Sequence, residues 1–193
     1  MDNIRKAFDD AVNVLSIVSS DAENIEMIKQ MADKVSATFR AGNKVLICGN
    51  GGSATDAMHF AEEFTGQFRD HRRALPAIAL SDASHITCVG NDYGFAEVFA
   101  RGVEAFGKKG DLLIGLSTSG NSVNIIRAVE QAENQEVTTI LLLGKDGGKL
   151  AKRSDLSLIV PGQTSDRIQE IHMLILHIII EIVERELFPE NYK

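Results

Sequence analysis

Five short, largely apolar runs constrain the fold of this chain more than any other feature. Each is four to six residues long and carries apolar residues on consecutive positions. This pattern is typical of strands that are buried on both faces of a parallel sheet. Helical spacing of apolar residues between the runs predicts an α/β protein, a three-layer αβα sandwich with a five-stranded parallel sheet and right-handed crossovers. The predicted strands are Lys44–Cys48, Ala77–Leu80, Asp111–Leu116, Thr138–Leu143 and Leu156–Val160.

Helices flank the predicted sheet at both ends of the chain. Residues 4–40 have the pattern of two amphipathic helices, the second capped by Asp21. A last helix is predicted from about Thr164 to Leu187. Its isoleucines fall on more than one face, so we expect it to be buried on several sides and to contribute to subunit packing. No linker divides the chain, which predicts a single domain over residues 1–193, with residues 1–40 as a helical pair used in oligomer packing.

Composition excludes several classes of partner. The net charge of −7 argues against a nucleic-acid-binding surface, which needs a basic face. The most apolar stretch, Met173–Ile182, is interrupted by His177 and Glu181 and is too short to span a membrane. The N-terminus lacks the apolar core of a signal peptide. Cys48 and Cys88 are too few for a disulfide framework. We therefore expect a cytoplasmic protein with neither a nucleic-acid nor a membrane partner.

The first candidate ligand loop is Gly49-Asn50-Gly51-Gly52-Ser53, directly after the first predicted strand. Ligands of open α/β sheets bind beyond the carboxyl ends of the strands, where glycines let the backbone approach them and a helix N-terminus offers free N–H groups. The run Gly49-x-Gly51-x-x-Ala54 also fits the dinucleotide fingerprint, with Asp82 as its acidic residue. We favour a small anionic ligand over a dinucleotide and over a purely structural turn.

The second candidate loop is Ser117-Thr118-Ser119-Gly120-Asn121-Ser122, between the third predicted strand and a helix. Four hydroxyls at a helix N-terminus can donate several hydrogen bonds to one phosphate. Serine and threonine also cap helices, but one hydroxyl would suffice for that purpose. The loop therefore predicts a phosphate site, and two ligand loops on one sheet edge suit a phosphosugar better than a dinucleotide.

A third segment is ambiguous. Ser81-Asp82 follows the second predicted strand, and Gly90-Asn91-Asp92-Tyr93-Gly94 comes a few residues later. The second of these runs is equally compatible with a ligand loop and with ordinary turn chemistry.

Candidate acid, base and metal-binding groups occur on two predicted helices. His59 and Glu63 lie four residues apart on a helix predicted over residues 53–68, so their side chains share a face. This spacing suits two metal ligands, a proton-transfer pair or an ordinary surface pair. Glu62 points about 100° away around the helix and is expected to be solvated.

On the last helix, His177 lies among isoleucines, so we expect it to be buried, either as a satisfied core histidine or as a catalytic group. Gln169 precedes it by eight residues, about 12 Å along an ideal helix. If both bound one ion, their side chains would have to stretch, the first turn would have to be irregular, or the two residues would have to come from different subunits.

Four segments together resemble the phosphoheptose isomerase family of the sugar isomerase (SIS) fold. They are Cys48–Ser53, Asp56–Glu63, Ser117–Ser122 and Asp166–His172, and the resemblance extends in length and motif order over essentially the whole chain. It implies a five-stranded parallel sheet between helices and a homotetramer with active sites at subunit interfaces. The implied reaction converts D-sedoheptulose 7-phosphate to D-glycero-D-manno-heptose 7-phosphate, an early step towards the heptose of bacterial surface polysaccharide.

The resemblance also implies residue roles. Glu63 and His177 would be the two proton-transfer groups, and one zinc ion per subunit would be bound by His59, Glu63, Gln169 and His177. If Glu63 is a ligand, its freedom to act as a base is reduced, and we expect the base role to be the essential one. The phosphate would be bound by Ser117, Thr118, Ser119 and Ser122. The sugar would contact Asn50, Gly51, Gly52, Ser53, Glu63, Asn91, Asp92, Asp166 and Gln169.

One position departs from the family pattern, and alternatives remain. Gln67 stands where many relatives carry an arginine, so a cation near the substrate would have to come from Arg69 or from a neighbouring subunit. The SIS fold also includes a non-catalytic adaptor that binds a replication initiator, and the C-terminal Leu187-Phe188-Pro189 resembles the end of that protein. The adaptor lacks the glutamate and histidine that are present here as Glu63 and His177. An isomerase of another sugar phosphate is the further alternative.

Overall fold

The structure, a computed structural model, describes residues 1–192. It contains seven α-helices and five β-strands in those residues. In chain order they are α1 (Asp2–Ser20), α2 (Ala22–Arg40), β1 (Val45–Gly49), α3 (Gly52–Thr65), β2 (Ala77–Ala79), α4 (Ala83–Asp92), α5 (Ala100–Phe106), β3 (Leu112–Ser117), α6 (Val123–Asn134), β4 (Thr138–Gly144), β5 (Leu156–Val160) and α7 (Ser165–Leu187).

The five strands form one parallel sheet in the order β2-β1-β3-β4-β5. Alternate residues of each central strand enter two separate cores. On β1, Val45 and Ile47 pack in the core beneath α2, α3 and α7, whereas Leu46 and Cys48 pack in the core beneath α4, α5 and α6. The three-layer αβα sandwich predicted from the apolar runs is confirmed, and each predicted strand is found within one residue of its predicted ends.

The strand order reverses between β1 and β3. The chain places β2 on one side of β1 and then returns to place β3, β4 and β5 in succession on the other side. In a doubly wound sheet this switch point opens a crevice at the carboxyl ends of the two strands. The loops that leave β1 and β3 are the glycine-rich and the hydroxyl-rich segments identified above. The fold therefore brings both candidate ligand loops to the same crevice.

The helical predictions are confirmed in part. The Asp21 side chain accepts a hydrogen bond from the Glu23 backbone N–H at 2.9 Å, so it caps α2 as expected. The last helix contacts α1, α2, α3 and strands β4 and β5, which confirms its burial on several sides. Within residues 1–192, no helix is long and apolar enough to cross a membrane.

Two local predictions are wrong. The helix predicted over residues 53–68 ends at Thr65, because Gly66 leaves the helical conformation. The last carbonyls of the helix accept hydrogen bonds from the Arg72 side chain. Between the second and third predicted strands, apolar residues from Phe95 to Phe106 recur at three and four positions and predict one helix, but the structure divides this segment into a 3₁₀ turn at Phe95–Glu97 and the short helix α5. Asn91 and Asp92, for which the sequence left a ligand loop and a turn equally open, lie in the last turn of α4, which Asp82 caps through its side chain.

Candidate active site

The glycine-rich loop after β1 requires glycine at two positions, one for its backbone conformation and one because a neighbouring side chain lies close to the backbone. Gly51 adopts φ 55° and ψ −121°, a backbone conformation that side chains other than hydrogen rarely allow. A Cβ atom at Gly52 would lie 2.5 Å from the Gln169 side-chain oxygen. Gln169 of α7 also donates a hydrogen bond through Nε2 to the buried Ser53 hydroxyl at 3.3 Å. The loop, the start of α3 and the start of α7 are therefore packed directly against one another.

Two asparagines connect the loops that follow β1 and β3. Asn50 donates through Nδ2 to the Asn124 side-chain oxygen at 2.9 Å, and Asn124 donates through Nδ2 to the Asn50 side-chain oxygen at 2.8 Å. Asn124 lies in the first turn of α6 and is 3% exposed. This reciprocal amide pair fixes the two loops across the switch point. Sequence reasoning assigned Asn50 to the sugar and missed Asn124, which has no motif of its own.

The hydroxyl-rich loop is organised by its own side chains. The Ser117 and Ser122 hydroxyls lie 3.0 Å apart, and the Ser119 hydroxyl accepts from the Asn121 backbone N–H at 3.1 Å. Ser122 occupies the N-cap position of α6 but makes no side-chain capping bond. Helix capping therefore does not account for the hydroxyls. The helix dipole and its first N–H groups face the same loop, which suits an anion.

The first turn of α7 adjoins this loop. The Thr118 hydroxyl lies 3.2 Å from that of Ser165. Asp166 is the next residue, and its pKa is lowered to about 2 by hydrogen bonds from the Thr164 side chain and from Arg167. Asp166 is thus a carboxylate at neutral pH, held at the edge of the crevice by Arg167 at 3.1 Å.

Farther along α3 and α7, three titratable side chains converge. His59 Nε2 lies 3.1 Å from Glu63 Oε1, and His177 Nε2 lies 3.9 Å from the same oxygen. The two imidazole rings meet edge to face with centroids 5.0 Å apart. The ligand atoms of the three residues all lie within 4.8 Å of one another, which is compact enough for one metal ion. The Glu63 side chain is 13% exposed, and its second oxygen, Oε2, is buried without a hydrogen-bond partner among the described residues.

The predicted burial of His177 is wrong. His177 is 35% exposed and faces Glu63, with Phe68 stacked on its ring at 6.1 Å. The buried histidine of α7 is His172, which is 0% exposed and hydrogen-bonds through Nε2 to the Leu143 carbonyl at 2.9 Å. Burial lowers the pKa of His172 to about 4, so this imidazole is neutral at physiological pH.

Gln169 lies apart from the three converging residues. Helices α3 and α7 run side by side in the same direction, since Gln169 meets Ser53 at one end and His177 meets Glu63 farther on. Helix α7 is continuous over this interval, so Gln169 and His177 are separated by about 12 Å along its axis. Neither an irregular first turn nor a side chain stretched towards His177 is present in this chain.

Asn91 and Asp92 lie in the last turn of α4, on the opposite face of the sheet from α3 and α7 and on the same face as α6. The Asn91 side-chain amide donates a hydrogen bond to Asp92 at 2.7 Å. Arg69, considered as a substitute for the family arginine, is paired with Glu181 at 2.7 Å. The Gln67 amide donates to the Arg69 carbonyl at 3.1 Å and also stays within its own segment.

Sequence reasoning gave no role to Asp56, which lies one helical turn before His59. Its Oδ2 atom is buried without a hydrogen-bond partner in residues 1–192. Burial raises the pKa of Asp56 to about 6, while the nearby His59 opposes the shift. The spacing of Asp56, His59 and Glu63 at three and four residues was the available signal, because it aligns all three on one face of α3.

Comparisons with known proteins agree with this architecture. The family model described as the SIS domain matches residues 8–144, more than half of the chain. The chain therefore belongs to the SIS domain family, whose fold is a parallel sheet between helices.

Within that family the similarity is much closer to one group. A phosphoheptose isomerase from Fusobacterium nucleatum is 58% identical over 190 residues, which cover 98% of each chain. One from Escherichia coli is 50% identical over 187 residues, covering 96% of this chain and 97% of its own. The solved structure of a phosphoheptose isomerase from Francisella tularensis superposes with a TM-score of 0.91 at 38% identity, covering 95% of this chain and 97% of that one. The chain thus belongs with the phosphoheptose isomerases, as the sequence motifs predicted.

Proposed function

We propose that this protein is a sugar-phosphate aldose–ketose isomerase that converts D-sedoheptulose 7-phosphate to D-glycero-D-manno-heptose 7-phosphate. The observation that carries the proposal is the convergence of Glu63 with His59 and His177 at 3.1 and 3.9 Å, on helices that also adjoin an anion-binding crevice. A phosphate cradle alone would suit a sensor. A shielded carboxylate beside two imidazoles supplies the proton-transfer groups that isomerisation requires.

In the proposed reaction, Glu63 removes a proton from C1 of the ketose while the C2 oxygen gains one, which gives an enediol. Return of a proton to C2 and loss of the O1 proton then give the aldose. His177 exchanges the oxygen-bound protons, since its exposed face is open to a ligand and Phe68 packs on the ring. The hydroxyls of Ser117, Thr118, Ser119 and Ser122 bind the phosphate at the N-terminus of α6.

We further propose a zinc ion at His59, Glu63 and His177. Two imidazoles and one carboxylate are a ligand set that zinc uses in catalytic sites, where a fourth position stays open. The buried Oε2 atom of Glu63 has no hydrogen-bond partner among the described residues, which fits this assignment, because a bound cation would compensate a carboxylate that is not fully paired by the protein. Bound zinc would polarise carbonyl and hydroxyl oxygens of the sugar as a Lewis acid.

Gln169 is the fourth ligand implied by the family resemblance, and its position bears on assembly. Since Gln169 lies about 12 Å along α7 from His177, it would complete the site only from a second subunit. We propose a cytoplasmic homotetramer of single-domain subunits (residues 1–193) with active sites at subunit interfaces, in which residues 1–40 pack between subunits. Asn91 and Asp92, on the other face of the sheet, would also reach substrate across such an interface. An exposed apolar stripe on α1 supports this packing: Ile4, Phe8, Val12 and Leu15.

The test is an assay of purified protein on sedoheptulose 7-phosphate, with and without a chelator and then with zinc restored. We expect turnover that the chelator reduces and zinc restores. Glu63→Gln should lower kcat by about 10²- to 10⁴-fold while substrate binding, measured by calorimetry, persists. Glu62→Gln is the matched control, because the Glu62 side chain is 64% exposed and, although its Oε1 atom lies 3.9 Å from His59 Nε2, it is not one of the three residues whose ligand atoms converge.

Three outcomes would contradict parts of the proposal. No product under any condition would favour the non-catalytic adaptor of the SIS fold. Turnover of a different phosphosugar in preference to the heptulose would revise the substrate. Wild-type kcat in Glu63→Gln would remove Glu63 from the proton-transfer role.

A further inference from the structure

The proposed site depends on how α3 and α7 are placed relative to each other. Glu63 lies two residues before the end of α3 and His177 lies in the middle of α7, and neither helix alone supplies both groups. The last carbonyls of a helix have no intrahelical partner and must be satisfied by other groups. How the C-terminal end of α3 is held therefore determines where Glu63 stands.

The guanidinium of Arg72 binds that end at several carbonyls, one of which, that of Phe64, also accepts from the Leu75 backbone N–H at 2.9 Å. Arg72, whose side chain is 1% exposed, donates through Nη2 to the Glu63 carbonyl at 2.5 Å. Its Nη1 atom donates to the Phe64 carbonyl at 2.9 Å and to the Gly66 carbonyl at 3.1 Å. A cation at this position also interacts favourably with the helix dipole. The backbone of the proposed base is thus bound directly by Arg72.

The same guanidinium is joined to α7. Arg72 Nε donates to Glu184 Oε1 at 2.7 Å, and the Glu184 side chain is also 1% exposed. The other Glu184 oxygen accepts from the Tyr192 hydroxyl at 2.8 Å. Glu184 follows His177 by seven residues, two turns along the same face of α7. Arg72 therefore connects the carbonyl of Glu63 to the helical face that carries His177.

The rest of the segment follows α7 in the same register. Phe68 stacks on His177, and Arg69 pairs with Glu181 at 2.7 Å, one turn farther along the helix. Arg72 pairs with Glu184 in the next turn. Of these contacts, only the one made by Arg72 is a fully buried ion pair.

A buried ion pair is weak evidence for stability, because desolvation of the two charges can exceed their attraction. Apolar residues of similar volume would serve packing equally well. They could not bind a carboxylate and four backbone carbonyls, which the guanidinium does at Glu184 and at Glu63, Phe64, Gly66 and Arg73. The specific contribution of Arg72 is therefore the fixed arrangement of its hydrogen bonds.

We propose that Arg72 is a positioning residue for the isomerase site, fixing Glu63 relative to His177 by binding the C-terminal end of α3 to Glu184 of α7. The proposal rests on the proposed function of His59, Glu63 and His177. It assigns Arg72 no contact with the substrate.

Two variants separate positioning from stability. Arg72→Lys keeps the buried positive charge opposite Glu184 but loses the fork that reaches the Glu63 carbonyl. The double variant Arg72→Met with Glu184→Met removes both charges and keeps the volume, a replacement that is often neutral for stability. The matched control is Arg127→Met, which removes two solvent-exposed pairs, with Glu97 and Glu130, on the opposite face of the sheet.

For each variant the experiment measures the thermal midpoint, kcat and KM on sedoheptulose 7-phosphate, and zinc affinity of the metal-free protein by competition with a chromophoric chelator. We expect Arg72→Lys and the double variant to lower kcat about 10- to 100-fold with KM changed less, as displacement of a catalytic group by about 1 Å does. Zinc affinity should fall at least several-fold in both. Arg127→Met should match the wild type in all four quantities.

Wild-type kcat and zinc affinity in a folded Arg72→Lys or double variant would overturn the proposal, as would a lowered thermal midpoint with unchanged kcat. If the double variant fails to fold, Arg72→Lys alone decides. If the wild type shows no turnover, the proposed function fails, and zinc affinity still tests the positioning of His59, Glu63 and His177. If it binds no zinc either, the imidazole NMR resonances of His59 and His177 decide, because displacement of α3 should shift both and an unshifted pair would refute the role.

Discussion

Acidification from pH 7 to pH 4 should destabilise this protein through His172. The side chain is fully buried, and its only hydrogen bond among the described residues joins Nε2 to the Leu143 carbonyl at 2.9 Å. Its Nδ1 atom is buried without a partner in residues 1–192. Burial penalises the charged imidazolium and lowers the pKa of His172 from its ordinary 6.5 to about 4.

The sign of the effect follows from proton binding in the two states. Between pH 6.5 and pH 4 the unfolded chain binds a proton at His172 and the folded protein does not. Stability therefore falls as the pH is lowered through this window and is unaffected by His172 above it. Each pKa unit corresponds to about 1.4 kcal/mol, so lowering the pKa of His172 from 6.5 to about 4 corresponds to a loss of about 3 kcal/mol in the free energy of unfolding at pH 4.

The measurement is guanidinium-induced unfolding of wild type and His172→Gln at several pH values from 7 to 4, at one protein concentration. Glutamine can donate a hydrogen bond towards Leu143 but does not titrate. Other titrating groups are common to both proteins and cancel in the difference, including Asp56, whose pKa burial raises to about 6. We expect the stability advantage of the wild type over the variant to shrink by about 3 kcal/mol between pH 7 and pH 4. Parallel curves would refute the reasoning, because they would mean that His172 binds its proton equally in both states.

Two further predictions concern the phosphate loop and the assembly. Ser119→Ala removes a hydroxyl that accepts from the Asn121 N–H and that we assign to the phosphate. KM should rise about tenfold with a smaller change in kcat, as expected for loss of one hydrogen bond to a charged group. An unchanged KM would mean that the phosphate does not bind to this loop. Phe8→Glu puts a charge on the α1 stripe at a side chain that is 70% exposed in one subunit. Light scattering should then report dissociation to smaller species, and an unchanged mass would exclude Phe8 from the subunit contacts.

Most of the fold was predictable because a parallel sheet imposes its pattern on the sequence. Strands buried on both faces must be apolar on consecutive positions, and β1, β3 and β4 are almost entirely so. The end of α3 had a local signal in Gly66, a residue type that commonly follows the last helical residue, and the prediction over residues 53–68 passed over it. The contact that binds this end was not predictable from local pattern: Arg72, seven residues beyond Thr65, donates to the terminal carbonyls of the helix. Such a contact depends on how the chain returns and leaves no periodic signal.

The site residues were likewise predictable where sequence spacing decides their positions, and not where the packing of helices decides them. The spacing of His59 and Glu63 placed both on one face of α3, and the structure has them 3.1 Å apart. The apolar surroundings of His177 predicted burial, but sequence composition cannot tell which of two histidines on an apolar helix faces the core. Five residues separate His172 from His177, about 140° around the helix. Packing of α7 on β4 directs His172 inward to Leu143, and His177 is thereby turned towards α3.

The parallel course of α3 and α7 has a consequence for every residue assigned to the site from motifs alone. Contacts between the two helices occur in register, with Ser53 against Gln169 at one end and Glu63 against His177 at the other. Ser53 and Glu63 are ten residues apart, so the two contacts are separated by about 15 Å along α3. A ligand set that includes Gln169, His59, Glu63 and His177 cannot close around one ion within a single chain of this shape. Either the ion is held by the three converging residues alone, or the glutamine comes from another subunit. Gln169→Ala therefore tests the assembly as much as the metal site. If Gln169→Ala lowers the zinc affinity of the oligomer but leaves that of a dissociated variant such as Phe8→Glu unchanged, the site is shared between subunits.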